Sequence, residues 1–166
     1  MIITNARRCA VALAIVAFAA PSAQAQATMF TTQTVTFAVN AINQIAFVGA
    51  PSLTITTAVA GSAPTSVTDL TATWAVTTNQ TGAKISASIP LAMTAGLTLS
   101  SSLSAPAGAT SVGYLALGIT SVDLVTGITK VAQGALGVSY KLDATAVAGV
   151  VVGGSRVVTY TISGGA

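Results

Sequence analysis

Ser139 and Lys141 stand two residues apart and offer a serine nucleophile with a lysine base, one of the few catalytic pairings this composition leaves open. A lysine does that work only when burial or a neighbouring cation lowers its pKa. Here Leu136, Val138, Tyr140 and Leu142 alternate with Gly137, Ser139, Lys141 and Asp143, which places both residues on the outward face of a strand. Asp69, Asp123 and Asp143 are the only acidic side chains, so a glycosidase pair would have to come from them. Each is alone in its segment and reads as a solubilising loop or strand-edge residue. The chain has no His and no Glu, and its single Cys is Cys9. Ser-His-Asp and Cys-His systems and His/Cys zinc sites therefore cannot be built from it. The expectation is a protein without enzymatic activity and with no catalytic, cofactor-binding or metal-binding residues.

Binding motifs fare no better. Asp123 and Gly127 lack the acidic ligands at alternate positions that a calcium loop needs. Gly153 and Gly154 have neither the phosphate-loop spacing nor a following helix, and read as a turn before Arg156. Trp74, the only tryptophan, is in phase with Ala72 and Val76 and belongs to a core rather than to a sugar platform. The pairs Thr34/Thr36, Thr54/Thr56, Thr71/Thr73 and Thr159/Thr161 suit outward strand faces, and their uneven spacing lacks the short repeat of an ice-binding solenoid. Asn79-Gln80-Thr81 fits a glycosylation sequon, but the same residues make a turn.

The elements that carry these residues are strands. Val35, Phe37 and Val39 alternate with Thr34 and Thr36, predicting a first strand with those three residues in the core. Residues 42–48 continue extended, and Leu53-Thr54-Ile55-Thr56 starts another strand after Gly49-Ala50-Pro51-Ser52. After a loop over 61–67, Ala72, Trp74 and Val76 define a strand. Asn79 to Gly82 turns it into a hairpin with 84–89, where Ile85, Ala87 and Ile89 share a face. Leu97 and Leu99 mark the next strand, residues 114–120 another, and 123–129 is expected to contain a tight connection at Gly127. Strands over 136–143 and 156–162 finish the chain. Eight or nine such runs, rich in Thr and Val and poor in helix formers, predict an all-β antiparallel sandwich, immunoglobulin-like or a similar Greek key. The segments 34–39 and 157–162 look alike, TVTFAV and VVTYTI, through shared strand composition.

Residues 1–25 read as a cleavable signal peptide. Arg7 and Arg8 precede an apolar run over 9–20 too short for a membrane span, Pro21 breaks it, and Ala23-Gln24-Ala25 supplies the small residues at the cut. Removing 25 of 166 residues leaves 141 for a single domain, 26–166. Cleavage removes Cys9, and no later stretch is apolar for long enough to form a transmembrane helix. The remaining charges are Lys84, Lys130, Lys141 and Arg156 against Asp69, Asp123 and Asp143, a net of 4 − 3 = +1. So small a charge makes no basic stripe, and nucleic acid is not an expected partner. A 52% hydrophobic composition with few charges opposes disorder and favours self-association.

The signal peptide followed by Thr/Val/Ala-rich strands from Thr34 to Ile162 resembles secreted bacterial surface proteins and fibre subunits with immunoglobulin-like sandwiches. Two departures stand out: no cysteine pair of the sort many chaperone-assembled pilins carry, and no LPxTG-type sorting tail after Ile162. The expectation is a non-catalytic structural or interaction protein, exported to the periplasm, cell surface or medium. Its partners would be proteins, including copies of itself as a fibre or matrix subunit. The uncharged stretch 26–32 leading into 34–39 suggests assembly by adding a strand to a neighbour's sheet edge. A carbohydrate- or ligand-binding module is the alternative and needs exposed aromatics, with Trp74 and Tyr114 coplanar on one face. A small outer-membrane β-barrel is a second alternative, weakened by too few aromatics for interface girdles. Export predicts a mature N-terminus at Gln26, which mass spectrometry of the exported protein checks; an intact Met1 would contradict it.

Overall fold

A computed structural model describes residues 28–165, so the expected signal peptide, 1–25, lies outside the described residues. The chain divides into two units, 1–37 and 38–166. In the first, residues 28–37 carry no regular secondary structure and all are exposed. The second contains nine strands: β1 (Asn43–Val48), β2 (Val67–Thr78), β3 (Ala83–Ser88), β4 (Leu97–Leu103), β5 (Thr110–Ser111), β6 (Leu115–Ala116), β7 (Val122–Ile128), β8 (Val131–Ala144) and β9 (Thr159–Ser163). They form a five-stranded sheet in the order β1-β2-β8-β4-β6 and a four-stranded sheet in the order β5-β7-β3-β9. Every ladder is antiparallel.

The expected antiparallel sandwich is therefore formed. Its two sheets are separate and have open edges, so the strands do not close into the barrel considered as an alternative. Immunoglobulin sandwiches keep several consecutive strands within one sheet. Here only β1 and β2 do so, and from β3 onward each strand lies in the opposite sheet from the one before. Of the two wirings expected, the chain follows the Greek-key alternative, in the alternating manner of a double-sheet jelly roll.

Alternation builds the core. Trp74 and Val76 on β2, Leu136 and Val138 on β8, and Leu99 and Leu103 on β4 are buried, and they meet Ile85 and Ala87 on β3 and Leu124, Val125 and Ile128 on β7. Thr71 and Thr73 face outward, as their phase predicts. The long β2–β8 ladder is interrupted between Trp74 and Val76, where β8 fits two residues, Gly134 and Ala135, opposite one. Ala135 adopts a left-handed φ of 56°, the signature of a bulge that bends the strand.

Several expectations need correction. Residues 34–39 form no strand, and Val35, Phe37 and Val39 are exposed at 73%, 93% and 79%, because none of the described residues supplies them with a ladder or an apolar face. Leu53 to Thr56 is likewise unpaired, although Leu53 and Ile55 remain half-buried. The proposed hairpin of 71–77 with 84–89 does not form, since β2 and β3 lie in different sheets. Asn79 is occupied elsewhere: its backbone N–H donates to Ile42 O, its side chain accepts from Ile42 N at 2.8 Å, and its Nδ2 donates to Asn40 O at 2.7 Å. Those bonds tie the connection to the start of β1 and send the chain across the core. The strand expected over 114–120 contracts to Leu115–Ala116, and 156–162 to Thr159–Ser163. Gly127 sits inside β7 rather than in a connection, and the turn falls at Thr129 and Lys130, the latter with φ 43°.

Trp74 is 1% exposed, and its indole N–H donates to Ser104 O at 3.2 Å. Trp74→Ala is expected to cost about 3–5 kcal/mol of stability, read by chemical denaturation. A loss within about 0.5 kcal/mol, the range of ordinary surface substitutions, would show that this side chain does not organise the core.

Candidate functional site

The residues that suggested chemistry are held apart and engaged structurally. Ser139 Oγ is hydrogen-bonded to Tyr114 OH, whereas Lys141 Nζ pairs with Asp143 at 3.1 Å and lies 5.9 Å from the Tyr114 ring centroid. Both touch Tyr114, but no hydrogen bond joins the serine to the lysine, and both face outward on β8. Asp143 also accepts from Ser66 Oγ, the main cause of a carboxyl pKa below its usual range. Asp69 accepts from Thr71 Oγ at 2.6 Å, from Ser52 N at 2.9 Å and from Thr71 N at 2.8 Å, and these bonds lower its pKa with the Thr71 hydroxyl foremost. Asp123 lies in the other sheet, paired with Lys84 at 2.8 Å. The three carboxylates share no hydrogen bond, and among the described residues no three His, Cys, Asp or Glu side chains cluster. Trp74 is buried while Tyr114 is 44% exposed, so the coplanar sugar platform is not formed.

What the fold does build is a cleft of about 1180 Å³ at the β9 side of the sandwich. Its floor is the inner face of the five-stranded sheet: Ile45 and Phe47 from β1, Leu97 and Leu99 from β4, and Tyr140 and Leu142 from β8. The segment 51–58, which belongs to neither sheet, forms one wall, Val158 and Tyr160 with the stretch 148–156 another, and Met93 lies between. Gly96 brings the second wall close, since a side chain there would overlap the backbone of Ala148, and Thr145 N donates to Gly96 O at 2.8 Å.

The cleft exists because the upper sheet stops short. β9 pairs with β3 along one edge and, among the described residues, with no strand along the other. Beneath β3 and β7 the core is fully buried, whereas beyond β9 the residues Ile45, Phe47, Leu97, Tyr140 and Leu142 are only half-buried. Apolar residues left half-covered on an inner sheet face are unusual in a closed sandwich, where both inner faces interdigitate.

Tyr160 anchors β9 across this opening. Its ring stacks on Phe47 at 3.9 Å between centroids and 13° between planes, and Phe47 in turn lies 5.9 Å from Trp74 at 12°. Its hydroxyl donates to Tyr140 OH at 2.8 Å. A phenol has one hydrogen to give, so Ser101 Oγ, 3.1 Å away, must donate to Tyr160 in return. Burial raises the pKa of both Tyr160 and Tyr140 above the ordinary phenol value. At the rim Arg156 is the one charged residue among those lining the cleft. Its Nη1 and Nη2 donate to Ser155 O and Ala92 O, and its buried Nε has no partner among the described residues.

Nothing in the alternation of the sequence marked this cleft. Tyr140 was legible as inward-facing, but that it meets Tyr160 across the sheets depends on which strands become neighbours. No protein-family model, no curated protein and no solved structure matches the chain.

The two tyrosines make the fold alkali-sensitive in a defined direction. Their folded pKa values are raised, so the stability they contribute is whole below about pH 10, where the phenols of the unfolded chain are neutral, and is lost as pH rises through the folded values. Ultraviolet titration should show both phenols resisting ionisation until the protein unfolds. Full tyrosinate absorbance near pH 10 with the fold intact would contradict the assignment.

Proposed function

We propose that this protein is a non-catalytic, exported structural subunit that acts through protein–protein contacts and assembles by β-strand addition. The observation that carries the reading is the incomplete upper sheet: β9 offers a free edge above a half-covered apolar floor. A free edge presents backbone N–H and C=O groups in a row and templates pairing with another chain. The apolar floor adds a reason for a strand to stay. A net charge of 4 − 3 = +1 on residues 26–166 gives copies little electrostatic reason to remain apart. The signal-like residues 1–25 support a site of action in the periplasm, at the cell surface or outside the cell.

A ligand-binding module is the second reading, favoured by the volume of the cleft. Small-molecule pockets run about 300–1,000 Å³ and are well enclosed, and a long open trough fits an extended chain better. Light scattering and negative-stain microscopy on the exported protein are expected to show discrete oligomers or filaments that grow with concentration. A monodisperse monomer throughout would overturn the assembly reading.

A further inference from the structure

We infer that the strand completing the sandwich is residues 34–39 of a second copy, laid along the free edge of β9 with Val35, Phe37 and Val39 facing the cleft. This inference rests on the assembly reading above and names its donor and acceptor. The two segments have matching faces. In Val157–Ile162 the residues Val158, Tyr160 and Ile162 face inward and are half-buried, while Val157, Thr159 and Thr161 are exposed. In 34–39 the corresponding positions are Val35, Phe37 and Val39 against Thr34, Thr36 and Ala38. The likeness of TVTFAV to VVTYTI, which composition alone would explain, acquires a structural meaning. Residues 34–39 have the face pattern of the strand that already spans this sandwich, and that pattern is what the next strand of the same sheet requires.

The donor is also unspent. All three of its apolar residues are more than 70% exposed, as is no comparable alternating run inside the sandwich. Six extended residues reach about 20 Å, the length of an ordinary strand. Each copy therefore carries one unfilled acceptor and one unused donor, formed by different segments of the chain. Contacts between unlike patches are heterologous, and unless the rotation closes a ring they extend into a filament.

The test compares the exported protein with a variant carrying Val35→Ser, Phe37→Ser and Val39→Ser. These positions are exposed, so the fold of the sandwich stands. Burying three such side chains accounts for a large part of the affinity, and self-association is expected to weaken by about a hundredfold or more. The mature chain has no cysteine, which allows cross-linking without background. Copies with Thr36→Cys, mixed with copies carrying Thr159→Cys or Thr161→Cys, are expected to give a disulfide-linked dimer with at least one partner, since outward neighbours on adjacent strands lie about 4.5–5.5 Å apart.

The failures are distinguishable. Unchanged association of the triple-serine variant, or assembly with no cross-link at either position, overturns this donor and acceptor while leaving the assembly reading intact. A cross-link formed within one chain when both cysteines share a copy, with the protein monomeric, shows self-completion and overturns the second-copy assignment. A wild-type monomer whose cleft takes up an apolar fluorescent probe gives the cleft to a small ligand and overturns both.

Discussion

The placement of β9, and with it the shape of the cleft, depends on one contact between the sheets: the Tyr160 ring against Phe47, with the Tyr160 hydroxyl held between Tyr140 and Ser101. β9 is the last strand of the upper sheet and has a single ladder, to β3. A strand so placed would fray if its only tether were five backbone pairings at one edge. The phenol instead reaches through the interior to β8 and β4 and fixes β9 over the lower sheet. Stacked aromatics add about 0.5–1.5 kcal/mol beyond their area, and buried hydroxyls that exchange hydrogen bonds exact a penalty if any one partner is removed. Because β9 is held there, the cleft beside it has a defined shape.

That anchoring also explains how an open sandwich remains folded. The closed half, built from Trp74, Ile85, Leu103, Leu124, Ile128 and Val138, is buried on both inner faces and supplies the burial that a small domain needs. Among the described residues the open half is shielded by the segment 51–58, outside both sheets, and the stretch 148–156. Stability and incompleteness are thus divided between two regions of one fold, and the cleft need not be disordered to stay open.

The strand faces were legible in the sequence wherever one face is buried. Trp74 with Ala72 and Val76, Ile85 with Ala87, and Leu136 with Val138 all point inward as their alternation requires. Pairing was not legible. Asn79 to Gly82 has hairpin chemistry, but the bonds of Asn79 to Asn40 and Ile42 commit it to β1, and a local turn signal carries no information about a contact 37 residues away. The strand over 34–39 failed for a different reason. Alternation reports that a segment has an apolar face, not that its own chain provides the surface to cover it. The cleft was invisible for the same reason, since it is defined by a neighbour that β9 lacks.

We propose that another chain joins the sheet at the free edge of β9. The decisive measurement is amide hydrogen exchange across β9, compared between assembled and dissociated protein. The β9 amides left free by the β3 ladder are expected to exchange rapidly in the monomer and to become strongly protected on assembly, together with residues 34–39. Assembly that leaves the exchange of β9 unchanged would contradict it.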